Sequence, residues 1–69
     1  MGNGEYLKAM GERIRAARQA KGYTLRQFGK MCSLDFGTLS RIENGQFNSY
    51  LLTIKNIADV LKMDVKDFI

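Results

Sequence analysis

Apolar residues recur along this chain at helical spacing, and no segment alternates cleanly with period two, so the pattern predicts helices and no strands. Leu7, Met10, Ile14 and Ala17 fall on one stripe and predict a first helix over about Tyr6 to Ala20, ended by Gly22. Thr24, followed three residues later by Gln27, is the signature of a capping box, in which side chains at a helix start satisfy otherwise orphaned backbone donors. A second helix is therefore expected over about Thr24 to Cys32, with Leu25 or Phe28, Met31 and Cys32 inward. Gly29 lies inside it. Glycine in a helix interior costs about 1 kcal/mol relative to alanine, so its presence there points to a close helix crossing.

After Ser33 and Leu34, Asp35 supplies a second N-cap for a short helix that turns Leu39 and Ile42 inward and stops at Asn44-Gly45. Beyond a polar loop, Leu51, Ile54, Ile57, Ala58 and Leu61 form the buried stripe of a fourth helix over about Leu51 to Lys62. Asp64 then caps a last short helix carrying Val65, Phe68 and Ile69. The expected fold is all-α, five helices in a single domain spanning residues 1–69.

Length and composition narrow the classes. A chain of 69 residues has room for one small core, and 45% hydrophobic residues are enough to form it. No apolar run approaches the roughly 18 residues that cross a bilayer, and no signal peptide is evident, so a cytoplasmic protein without a membrane partner is expected. The one cysteine, Cys32, has no histidine to join it, which argues against a disulfide, a zinc site or any other metal. The commonest general base is missing with histidine, and no nucleophile–base pair or phosphate-cradling glycine loop is present. An enzyme is thus the least expected class, and neither a cofactor nor a small-molecule ligand is implied.

Charge adds a direction. The net charge of +4 resides entirely in residues 1–49, where Lys8, Arg13, Arg15, Arg18, Lys21, Arg26, Lys30 and Arg41 face only Glu5, Glu12, Asp35 and Glu43. Between Arg13 and Lys30 stand six basic residues and no acid, which is either a solvated face or a field that attracts phosphate backbones. The two short helices between Gly22 and Gly45 supply what such a field requires to become a DNA reader. A helix-turn-helix, here about residues 24–43, crosses its helices steeply and leaves the second propped outward for the major groove.

The run GERIRAARQAKGYTLRQFGKMCSLDFGTLSRIENG resembles the lambda-repressor-like helix-turn-helix family, also called Cro/C1 or XRE-type. The likeness continues through LTIKNIADVLKMDVKDF and spans about Met10 to Ile69. It implies a five-helix repressor bundle acting as a small, sequence-specific transcriptional regulator, with residues 36–43 as the recognition helix. The resemblance places base contacts on Phe36, Gly37, Ser40 and Arg41, and phosphate contacts on Thr24, Arg26, Thr38, Asn44 and Gln46. Arg41 suits a guanine edge, because a guanidinium bonds both of its acceptors. Phe36 replaces a polar residue usual in relatives, and its ring either lies against a thymine methyl group or completes the core. Gly37 would let the backbone approach DNA, and Asn44 would either touch phosphate or simply terminate the helix. Leu25 stands where relatives often carry a DNA-contacting glutamine, so that contact is missing. Ser33 stands in place of the usual turn glycine, at a cost if the residue is left-handed. Arg18 and Glu43 match a pair that forms an internal salt bridge in relatives.

Operators of such proteins are usually two-fold, so double-stranded DNA bound by a homodimer is the expected assembly. Phe47, Tyr50, Leu52, Val60 and Met63 lie off the main stripe or at the ends of the fourth helix, and form either a self-complementary patch or additional core. A second functional class remains open, an antitoxin or protein-interaction module that works through the neutral C-terminal helices.

Overall fold

The computed structural model describes residues 3–47 and 51–68 and contains, among them, four α-helices and no strand. They are α1 (Asn3–Ala20), α2 (Leu25–Met31), α3 (Phe36–Glu43) and α4 (Leu51–Leu61), followed by a single 3₁₀ turn over Val65–Asp67. The expected fifth helix is this turn. Asp64 does cap it, accepting from the backbone of Lys66 while the side chain of Asp67 accepts from Asp64 N. The backbone, however, closes in three-residue steps, Asp67 N to Asp64 O and Phe68 N to Val65 O, and such tight bonding belongs to short pieces. None of the described helices is long and apolar enough to cross a membrane.

The core draws on every element. Met10 and Ile14 come from α1, Phe28 and Cys32 from α2 and its cap, Leu39 and Ile42 from α3, and Ile54, Ile57, Ala58 and Leu61 from α4, with Phe68 closing the base. Two expected core positions lie elsewhere. Met31 is exposed, because Phe28 and Cys32, one turn apart, take the inward line of α2 and leave Met31 at its rim. Leu51 opens α4 and stays 69% exposed, since the stripe reaches the core only from Ile54 onward. Asn56 Nδ2 donates to Cys32 O at 2.6 Å, tying α4 to the end of α2 and satisfying a carbonyl that the helix leaves open. Burial pushes the Cys32 thiol up to about 11, so at neutral pH it is an inert apolar group and not a thiolate.

The turn between α2 and α3 is tight. Leu34 N bonds Gly29 O at 2.8 Å, and Ser33 sits between them at φ 56°, in the left-handed region. That conformation strains a residue with a Cβ by roughly 1–2 kcal/mol, part of which glycine gives back through its more flexible unfolded chain. Ser33→Gly is therefore expected to raise unfolding stability by roughly 0.5–1 kcal/mol in urea titrations. An unchanged or lower midpoint would mean that the serine side chain has a compensating role.

Candidate nucleic-acid interface

Helix α3 exists because both of its ends are stopped locally. Asp35, extended at φ −61°, ψ 140°, accepts at its side chain from Thr38 N at 3.1 Å, and Asn44 closes the other end before Gly45 turns the chain at φ +72°. Within these stops the helix divides into two faces. Leu39, Ile42 and Glu43 are buried, while Gly37, Ser40 and Arg41 occupy the opposite side at 3.6 residues per turn. Helix α2 supports α3. A Cβ on Gly29 would lie 3.0 Å from Leu34 O in the turn but 3.9–4.0 Å from the nearest atoms of α3, so the glycine makes room chiefly for the turn and not, as expected, for a close helix crossing. Gly37 has a reason inside the chain as well, since a Cβ there would press to 3.1 Å on the capping carboxylate of Asp35.

The C-terminal end of α3 is locked to α1. Glu43, only 2% exposed, takes Arg18 Nε on Oε2 at 2.8 Å and Arg18 Nη2 on Oε1 at 3.1 Å. Arg18 Nη1 also donates to Tyr23 O at 2.9 Å, which fixes the chain entering α2. Arg15 joins the pair, Nε to Glu43 Oε1 at 3.3 Å, and its Nη2 donates to Asn44 Oδ1. Sequence reasoning missed Arg15, although its place one turn before Arg18 on the same face was a usable signal. It also missed Gly11, where α1 and α3 come so close that a Cβ would run into the carbonyl oxygens of Ile42 and Glu43.

These contacts redistribute the basic run. Arg15 and Arg18 are spent on Glu43, and Arg13 Nη1 donates to Phe68 O at 3.3 Å. Lys21, Arg26, Lys30 and Arg41 are exposed and join no ion pair among the described residues. Arg26 instead holds its guanidinium carbon 4.8 Å from the centroid of the Phe36 ring. Phe36 is 44% exposed and thus no part of the core.

The remaining positions singled out in the sequence are placed as follows. Thr24 caps α2, its hydroxyl accepting from Gln27 N at 3.1 Å and its backbone donating to Gln27 Oε1 at 2.9 Å, and its own hydroxyl proton is left as a donor. Thr38 is half-buried beside the Asp35 cap, Asn44 is exposed with its carbonyl oxygen engaged by Arg15, and Gln46 is exposed. Phe47, Leu52 and Met63 are exposed, Leu52 to 78%, whereas Val60 packs against the core. Tyr50 lies outside the described residues.

This arrangement of a capped, propped helix beside a second one is also what comparison with known proteins finds. The HTH_3 family model, described as helix-turn-helix, matches residues 14–68. The chain belongs to the HTH_3 family. This HTH_3 chain is 37% identical over 57 residues, 83% of each chain, to YazB of Bacillus subtilis (strain 168), an uncharacterized HTH-type transcriptional regulator. Among solved structures it is similar to the restriction-modification controller protein C.AhdI from Aeromonas hydrophila, at TM-score 0.87 and 28% identity, covering 91% of this chain and 96% of that one. It is similar as well to the clp gene regulator ClgR from C. glutamicum, at TM-score 0.88 and 27% identity, covering 91% and 81%.

Proposed function

We infer that this HTH_3 protein binds double-stranded DNA at specific sequences and regulates transcription, with α3 as the helix that enters the major groove. The observation that carries this reading is the division of α3: Leu39, Ile42 and Glu43 fill its buried side, and the other side carries exposed Arg41 with half-buried Gly37 and Ser40. The names of YazB, C.AhdI and ClgR, all regulators or controllers, support it and describe no enzyme. No observation favours the antitoxin alternative.

On this reading Arg41 takes a guanine edge, Ser40 and Gly37 lie along the bases, and Phe36 meets the groove at the helix entrance. Thr24 and Arg26 at the start of α2, Thr38 at the start of α3, and Asn44 and Gln46 after it hold phosphates, which orient the protein without reading sequence. Residues 1–69 form one DNA-binding domain that works in the cytoplasm and as a homodimer. Exposed Phe47, Leu52 and Met63, joined by Leu51, supply an apolar surface for the second copy.

Selection of bound duplexes from a random pool tests the proposal. The enriched sequence should contain two inverted halves roughly 34 Å apart, one helical turn. Arg41→Ala should weaken binding to it by roughly 1–3 kcal/mol while random DNA is much less affected. Arg26→Ala should weaken both and flatten the salt dependence by about one phosphate contact. Equal losses on every sequence for both variants would reject the assignment of α3.

A further inference from the structure

We propose that Arg26 is a positioning residue that holds the Phe36 ring as a reader of the thymine methyl group, so that this helix pair discriminates thymine from uracil by one carbon atom. The proposal rests on the DNA-binding reading above and specifies what one of its side chains recognises.

Phe36 is the first residue of α3 and is 44% exposed, an unusual place for a ring that neither closes the core nor carries a hydrogen-bonding atom. Every base edge in the major groove presents donors or acceptors, and a phenyl ring satisfies none of them. The apolar group on offer there is the thymine 5-methyl. A loose exposed ring would be a poor reader, since it loses rotamer freedom when it docks. Here it is not loose. The Arg26 guanidinium carbon stands 4.8 Å from the ring centroid, within the roughly 6 Å reach of a cation–π contact, and the stack spans the turn from α2 to α3.

The geometry lets Arg26 do two things at once. A guanidinium stacks through its flat face and keeps its N–H donors in the plane, pointing outward at its edge. Arg26 joins no ion pair among the described residues, so that edge is open to a phosphate while the face stays on the ring. Backbone anchoring and methyl reading are thereby coupled through one side chain. Lysine in its place would keep the charge and lose the planar stack.

The experiment uses the selected duplex and copies of it in which single thymidines are replaced by deoxyuridine, which deletes the methyl and nothing else. One position is expected to weaken wild-type binding about fourfold, equivalent to about 0.8 kcal/mol, as for one buried methyl-sized group. In Phe36→Ala that thymine-to-uracil ratio should fall to about one. Arg26→Lys should also bring it close to one, whatever happens to overall affinity. Lys30→Ala, which removes one positive charge from the same helix, should keep the fourfold ratio. A ratio near one at every thymine in the wild type, or a fourfold ratio that survives in either Arg26→Lys or Phe36→Ala, would overturn the proposal. Selection that enriches no sequence at all would instead defeat the DNA-binding reading itself.

Discussion

Gly11→Ala is expected to destabilise the fold by about 2–3 kcal/mol, against the usual direction for this exchange within a helix. Alanine is the best helix former and glycine among the worst, so on propensity alone the substitution would stabilise α1 by up to about 1 kcal/mol. Propensity loses here because the added Cβ meets the carbonyl oxygens of Ile42 and Glu43, backbone atoms that cannot rotate aside. Helices α1 and α3 must move apart, and overpacking of this kind typically costs 1–3 kcal/mol, with rigid neighbours placing it at the upper end. Gly4, in the same helix with nothing within 4 Å of its would-be Cβ, is the internal control, and Gly4→Ala should be neutral or mildly stabilising. Urea unfolding of the two variants decides the matter. Similar midpoints for both would show that α1 and α3 do not approach so closely.

A comparable loss, about 3 kcal/mol, is expected for Arg18→Met. Methionine fills much of the volume but leaves Glu43, 2% exposed, without its bidentate partner and Tyr23 O without its donor. Breaking a buried pair from one side costs about 3–5 kcal/mol, and the lower figure applies because Arg15 still reaches Oε1. A core this small rarely supplies more than about 3–5 kcal/mol in total, so the variant should keep only about 0–2 kcal/mol and melt at a much lower temperature. Replacing both partners, Arg18→Met with Glu43→Leu, removes the uncompensated charge and should recover most of the loss. Circular dichroism on heating, applied to both variants, checks this. A double variant no more stable than the single one would assign the cost to lost packing and not to the stranded carboxylate.

What was legible in the sequence was mostly local. The starts of α2 and α3 could be read because a cap joins residues three apart, as Thr24 with Gln27 and Asp35 with Thr38 do. That Gly29 answers a steric need was legible too, but the obstacle is Leu34 O, five residues away in the turn, and not a crossing helix. Periodicity identified the inward side of α4 but not how far along it the core extends, and Leu51 was misplaced accordingly. The last segment showed its cap plainly, yet nothing in four or five residues distinguishes an α-turn from a 3₁₀ turn.

The basic run was the least transparent feature. Counted along the chain it looks like a continuous field, but Arg13 and Arg15 find partners 55 and 28 residues away that only the folded chain shows, whereas for Arg18 the family resemblance already implied the pairing with Glu43, 25 residues away. Phe36 posed the same difficulty, because whether a helix's first residue is inside or outside depends on a neighbour, Arg26, that belongs to another helix.

The lock between α1 and the end of α3 gives the molecule the mechanics of a cantilever. Eight residues at about 1.5 Å each make α3 a beam roughly 12 Å long, fixed at Ile42 and Glu43, steadied from below by α2, with Phe36 at the tip. A tilt of about 5° at the fixed end would swing that tip by about 1 Å, given this length, a large fraction of the tolerance within which a side chain can be aimed. Residues of α1, through Arg15, Arg18 and Gly11, therefore govern where the far end of α3 points.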